Sequence, residues 1–430
     1  MGKTIHTFFN NNVFLLVSII IYYMKRNFIL FIISLLIFCN CKNEKKEISN
    51  YNEIEVIQIL PETADEYINL SNFADSIEII QLNKDSKELI GVVHRIIIRD
   101  KYIYLIDKTL KQIILFDKEG NFVTKLSKYG DGPECYSFLG PVFIDSLESY
   151  IDIIDMRANK ILRYSNPTFE LIKSNSFPDI NFNSCVRAQD SIYYIATQQH
   201  ENIINGKNTN TEFVIYTTDG FINNFFDKKI DTERNNYSAA TESILESCDD
   251  ESFYYSSMFT NTIYSIDSIS LKPLYYIDFG NCRMPEDLGT QDINEQINYI
   301  HQMKETAAFP IMTLNNKQYT FITYFYKEKS NQSMFRTQDL RQFIIDKNNN
   351  RQYHTKKIIN DICDFPKYIS FDTYFGCVHD IYYNKDFVEV IIPSIYLESI
   401  GEESVIIDGI GEITSEDDPI VVLMKPKKRL

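Results

Sequence analysis

Between residues 102 and 165 one pattern is written twice. Tyr102–Asp107 (YIYLID) and Gln112–Asp117 (QIILFD) return 48 residues later as Tyr150–Asp155 (YIDIID) and Lys160–Ser165 (KILRYS). Each run is dominated by β-branched and aromatic side chains, which suit a pleated surface. Four short strands recurring every ~40–50 residues are what a β-propeller blade looks like in sequence. The third strands of four successive units end at Asp117, Ser165, Thr217 and Asp267, at intervals of 48, 52 and 50 residues. At 430 residues the chain is too long for one ordinary core, which stops growing at ~250–300. A propeller escapes that limit because each blade is buried only against its neighbours.

After Phe279 the rhythm breaks. Ile293, Ile297 and Ile300 stand at i, i+4 and i+7 among polar residues, the stripe of an amphipathic helix. An insertion over residues 285–304 is therefore expected to cover a blade junction. A fifth blade is read at Thr320–Tyr326, Met334–Arg336, Arg341–Asp346 and Gln352–Lys357. A sixth has only Gly376–Tyr382, Phe387–Ile392 and Ile420–Lys425, with a loop from Pro393 to Pro419. The isolated run Ser76–Leu82 supplies its missing strand and leaves no free edge. The expected fold is all-β: a six-bladed β-propeller of four-stranded blades over residues 75–430. An N-terminal strand completes the last blade, and there is one helical insertion.

Upstream, Lys25 and Arg26 precede an apolar run from Phe28 to Phe38 that ends at Cys39, Asn40 and Cys41, the layout of an export signal. Met24 is the natural start of such a signal, with residues 1–23 as an upstream extension. A membrane hairpin of Val13–Tyr23 and Phe28–Phe38 is the alternative, although each run is short for a ~20-residue span. Residues 1–41 are thus read as leader and 42–74 as tether and lead-in. Cys41 resembles the lipidated cysteine of a bacterial lipoprotein, followed by a polar stretch, Lys42–Glu47. Cys39 competes with it, Asn40 replaces the usual small residue, and a simple cleaved signal is the other reading.

The net charge of −16 opposes a nucleic-acid partner, whose phosphates such a body repels. No Cys-x-x-Cys pair suggests zinc, and the scattered cysteines fit disulfides or buried thiols equally. A Gly-x-Ser-x-Gly elbow, a His-Glu-x-x-His helix and a phosphate loop are all absent from the sequence. What remains is the channel mouth, where innermost strands converge. Arg95, Arg187, Glu246, His379 and Asp380 fall on those strands and are the candidate ligand-binding residues, beside His94 and Glu242. Taken singly, each is more simply explained as a polar residue facing a wet channel.

Several segments together carry a family resemblance: Ile77–Leu82, the Tyr102–Asp117 repeat, the loop Gly130–Tyr136 (GDGPECY), Asn360–Ile362 and the closing Glu416–Leu423. They resemble the six-bladed, NHL-like β-propeller lipoproteins of Bacteroides-type bacteria, with Cys135 where that family often has Glu or Gly. The resemblance implies a propeller in the cell envelope, lipid-anchored to the outer membrane, and no established reaction. The expected role is a monomeric binding or scaffold module for a glycan, peptide or partner protein, with no cofactor or metal. The alternative is a metal-assisted hydrolase or lyase at the channel mouth. There Ca²⁺ would suit a hard carboxylate set begun by Glu242 or Glu246 with Asp380.

Overall fold

The computed structural model describes residues 54–83, 88–189, 191–197, 202–209, 211–225, 244–246, 252–256, 260–285, 287–291, 293–328, 339–371, 378–379 and 382–427. Met24, Cys41, Glu242, Met334–Arg336 and Asp380 lie outside them.

The repeat folds into successive antiparallel meanders. The first blade is Val93–Ile98, Ile103–Asp107, Gln112–Phe116 and Phe122–Leu126; the second is Val142–Ile144, Tyr150–Asp155, Lys160–Ser165 and Leu171–Ser176. The third blade is Ser184–Gln189, Ile192–Ala196, Phe213–Thr217 and Gly220–Phe225; the fourth is Ile244–Glu246, Phe253–Ser256, Thr262–Asp267 and Ser270–Asp278. Ile103–Asp107 and Gln112–Phe116 are buried at every residue, which is why these runs are continuous rather than alternating. Tyr104, Ile106 and Leu115 of the first blade share a core with Ile151, Ile153 and Leu162 of the second.

The 48-residue repeat is also a repeat of hydrogen bonds. Buried Asp107 accepts from the Thr109 and Leu110 amides of its own turn, and from the Gly91 amide at 2.8 Å. Five residues on, Gln112 Nε2 donates to the Leu89 carbonyl. In the second blade Asp155 accepts from the Arg157, Ala158 and Ser137 amides, while Lys160 Nζ donates to the Cys135 carbonyl. Each pair fastens the connection that arrives at its blade, satisfying backbone groups that burial would otherwise orphan.

The fifth blade departs from expectation. Its innermost strand is Thr306–Asn315, followed by Tyr319–Lys327, Leu340–Asp346 and Arg351–Thr355, so it is complete without Met334–Arg336. Pro310 hides the innermost strand from a sequence reading. A register shift between Ala308 and Ile311 spans the proline and accommodates its missing N–H, and a second shift follows between Met312 and Leu314.

The closing blade is Tyr382–Tyr383, Asp386–Ile391, Ile420–Pro426 and, from the far end of the chain, Ala74–Gln81, with Ile79 opposite Val422. Of the expected strand Gly376–Tyr382, the described residues Val378–His379 pair in parallel with the first blade's Val93–Ile98, while Tyr382 pairs with Phe387 of the closing blade.

The blade count is corrected from six to seven. The described residues form seven sheets of three or more strands. The additional one joins Ile68–Asn69, Ile358–Ile359 and Tyr368–Ile369, packed in one core with Phe321 of the fifth blade and Phe387 of the closing one. Strands of two residues carry no periodicity to read. The lead-in that supplies one of them is a belt along outer strands. Glu55–Gln58 runs parallel to Ser270–Asp278, and Asp65 bridges Thr355 before Ile68–Asn69 pairs.

Helix Ile293–Gln302 forms inside the expected insertion, with Ile300 buried beside Met303, Phe309, Phe325 and Leu340. Fully buried Lys327 donates to the Ile300 carbonyl at 3.1 Å in the helix's last turn, where a cation complements the dipole. The expected loop 393–419 holds a second helix, Pro393–Ile400, and a hairpin, Ser404–Ile407 with Gly411–Thr414. No helix among the described residues is long and apolar enough to cross a membrane.

Candidate ligand cleft

Successive connections of a meander leave at opposite ends of the sheet. At one end they are short: 99–102, 117–121, 145–149, 316–318, 347–350 and 384–385. At the other lie 127–141, 279–305 and 392–419. Adaptable segments on a rigid scaffold are where binding sites concentrate.

One long connection reaches a cavity. The hairpin within 392–419 packs Val405, Ile407, Ile410 and Ile413 in the same core as Ile77 and Ile79 of the closing blade's outer strand. Its tip, Gly409 and Ile410, borders a cleft of about 510 Å³ between the closing and first blades. That volume falls within the ~300–1,000 Å³ of small-ligand sites. The two blades meet closely here. Asn83 N donates to the Gly120 carbonyl at 2.9 Å, and a Cβ on Gly120 (φ +87°) would collide with the Gln81 carbonyl oxygen. Glycine is thus required at the turn on both counts.

Glu78 enters the cleft from the closing blade's outer strand, Lys118 and Glu119 from the 117–121 turn, and Tyr383 and Asp386 from around the 384–385 turn. Lys118 Nζ donates to the Arg99 carbonyl at 2.8 Å and lies 4.8 Å from the centre of the Tyr383 ring. Burial pushes the Lys118 pKa down, against the pull of Glu148, Asp100, Glu78 and Glu119. The Tyr383 hydroxyl donates to Asp100, and burial followed by that carboxylate raises its pKa. Burial pushes Asp386 up, with Glu78 adding to the shift and Lys425 opposing it. Displaced titrations gathered around one cleft mark a functional-site candidate. Chemically, it offers charged hydrogen-bonding groups of both signs over an apolar ground of Ile79, Ile410 and Leu423.

The residues expected at the channel mouth are only partly gathered. Arg95 and His379 lie on paired strands, with Val378 opposite Arg95 and His379 opposite Ile96. Neighbouring His94 is pushed down to about 4 by desolvation, then by the Lys108 and Arg95 cations. Arg187 turns to the second blade, where it joins Arg163 on buried Asp152. Arg163 pairs through Nε and Nη2 at 2.7 and 2.8 Å, and both guanidinium groups lie over the Tyr150 ring. Arg187 thus fastens two blades together. Glu246 ends a strand opposite Phe253. Among the described residues no three His, Cys, Asp or Glu side chains converge as metal ligands would. Nothing in the sequence singles out the cleft residues: Lys118 and Glu119 look like turn chemistry, and Glu78 like the outer face of a strand. They meet only through the pairing of the chain's two ends.

A family model described as a domain of unknown function, DUF4934, matches residues 54–425. No curated protein matches the chain. Among solved structures it is similar to an exported-protein candidate of Bacteroides fragilis NCTC 9343. The TM-score is 0.63 at 17% identity, covering 87% of this chain and 100% of that one. A DUF4221 member from Bacteroides vulgatus gives a TM-score of 0.47 at 11% identity, over 83% and 98% of the two chains. An inactive virginiamycin B lyase from Staphylococcus aureus gives 0.40 at 12%, over 81% and 99%. The first of these shares the fold.

Proposed function

The chain belongs to the DUF4934 family, and from that premise we propose that it is an exported, envelope-anchored propeller that binds a glycan, peptide or partner protein. The observation that carries the reading is the cleft at the closing junction, ligand-sized and bordered by the tip of an inserted hairpin. Export is supported by the leader pattern before Cys41 and by the Bacteroides fragilis structure, itself described as an exported-protein candidate. The anchor is a lipid on Cys41, which tethers the domain to the outer membrane without a spanning helix.

Binding is tested by melting the purified protein against panels of glycans and peptides, since a ligand of the folded state raises its stability. A ligand-dependent rise that disappears in a Glu78→Gln, Asp386→Asn variant supports the cleft. A rise that survives in that variant removes it. The anchor is tested by metabolic labelling with a fatty acid. Label and membrane retention should vanish in Cys41→Ala, and their persistence refutes the lipid site.

A further inference from the structure

We infer that the cleft takes an organic cation bearing a primary amine, either a lysine side chain of a peptide or a free polyamine. This deepens the binding reading above and rests on the cleft being the ligand seat. Among the described residues that line it, Glu78, Glu119 and Asp386 stand against one cation, Lys118, while Lys425 acts on Asp386 from outside the lining. Among the described residues none of those three carboxylates is held in an ion pair. Burial makes the charged form of Asp386 costly, and an incoming ammonium would restore it.

The cleft already holds one alkylammonium. Lys118 Nζ rests above the Tyr383 ring and on the Arg99 carbonyl, an aromatic face and a backbone acceptor of the kind a ligand amine needs. Ile79, Ile410 and Leu423 provide ground for a methylene stem. A phosphate, sulfate or uronate would meet the carboxylates instead. On a larger scale, the net charge of −16 draws cations toward the surface and turns anions away.

The test is calorimetric titration of the full chain in detergent with trilysine, spermidine, triglutamate and a neutral trisaccharide. Wild type, Glu78→Gln/Asp386→Asn and Lys118→Met are compared at matched melting points, with Asp267→Asn as a remote control. Trilysine or spermidine should bind one per chain, weaken about tenfold in the double variant and weaken further with salt. Lys118→Met should bind the amine more tightly, because the resident ammonium no longer competes. Trilysine ahead of spermidine assigns a peptide, and the reverse order a polyamine. Absence of amine binding overturns the inference. If only the trisaccharide binds, and the double variant loses it, the inference falls while the cleft remains the seat. Amine binding that is equal in all variants removes both.

Discussion

Asp155 and Ser137 are joined twice: the Ser137 amide donates to Asp155 Oδ2 at 2.6 Å, and its hydroxyl lies 3.0 and 3.1 Å from the two carboxylate oxygens. Asp155 is fully buried, and it also holds the Arg157 and Ala158 amides of its own turn. Asp155→Ala orphans these donors and should cost about 3 kcal/mol, the scale of several lost charge-assisted bonds. Asp117 follows the strand Gln112–Phe116 of the same repeat, yet its bonds to Glu119 and Asn121 are exposed. Asp117→Ala should therefore cost about 1 kcal/mol or less. Urea denaturation of the two variants checks the ranking, and equal losses would refute the clamp.

That contrast marks what could be read beforehand. Asp107, Asp117 and Asp155 look alike in the sequence, and their spacing gives the strands and their order. Closure by Ser76–Leu82 follows from counting, since the last blade is one strand short. Burial does not follow, because it depends on which connection arrives against which turn. Strand Thr306–Asn315 was masked by Pro310, and the two-residue strands of the additional sheet had no period. The cleft was illegible for a topological reason: Glu78 and Lys118 meet only because residues 74–81 return to pair with 420–426. The pattern puts Arg187 on an innermost strand but cannot put it beside Asp152, since alternation tells face, not partner.

Gly140 has an ordinary backbone conformation, so its need for glycine is steric. A Cβ there would run into the Ile154 carbonyl oxygen, a backbone atom that cannot swing away. Gly140→Ala should cost about 2 kcal/mol, as overpacking does. Gly206 has positive φ and no atom near its would-be Cβ. Gly206→Ala should cost only about 1 kcal/mol, the conformational penalty alone. Melting temperatures distinguish the two, and a reversed order would mean that the second blade shifts to make room.

Asp152 carries two guanidinium groups in a nearly water-free site, its side chain only 1% exposed. Asp152→Ala leaves both cations buried beside each other and should cost about 3–5 kcal/mol. Arg187→Met should cost clearly less, because Arg163 stays bidentate on the carboxylate and the methionine still packs near Phe143. If Arg187→Met is the worse of the two, the contact matters through packing rather than charge.

His354 ties the belt to the fifth blade. Its Nε2 lies 2.6 Å from the Tyr324 hydroxyl and its Nδ1 lies 3.4 Å from Thr63 Oγ1. Burial, and then the Arg341 cation, push the imidazole down to about 4, with Asp65 and Glu62 opposing. The unfolded chain titrates near the ordinary 6.5, so over that interval it binds a proton that the folded protein refuses. The stability contributed is complete above the unfolded value and is lost as pH falls toward 4. His354→Gln does not titrate, so its melting temperature should fall less than that of the wild type between neutral pH and about 4. The difference between the two curves isolates this residue from His94, which shifts the same way, and from Asp386 and Asp418, whose raised values act in the opposite sense. Limited proteolysis at residues 54–66 should accelerate in the wild type over the same interval, because the protonated ring weakens the belt's hold. Parallel melting curves would show that His354 is protonated in the folded state and that the belt is held elsewhere.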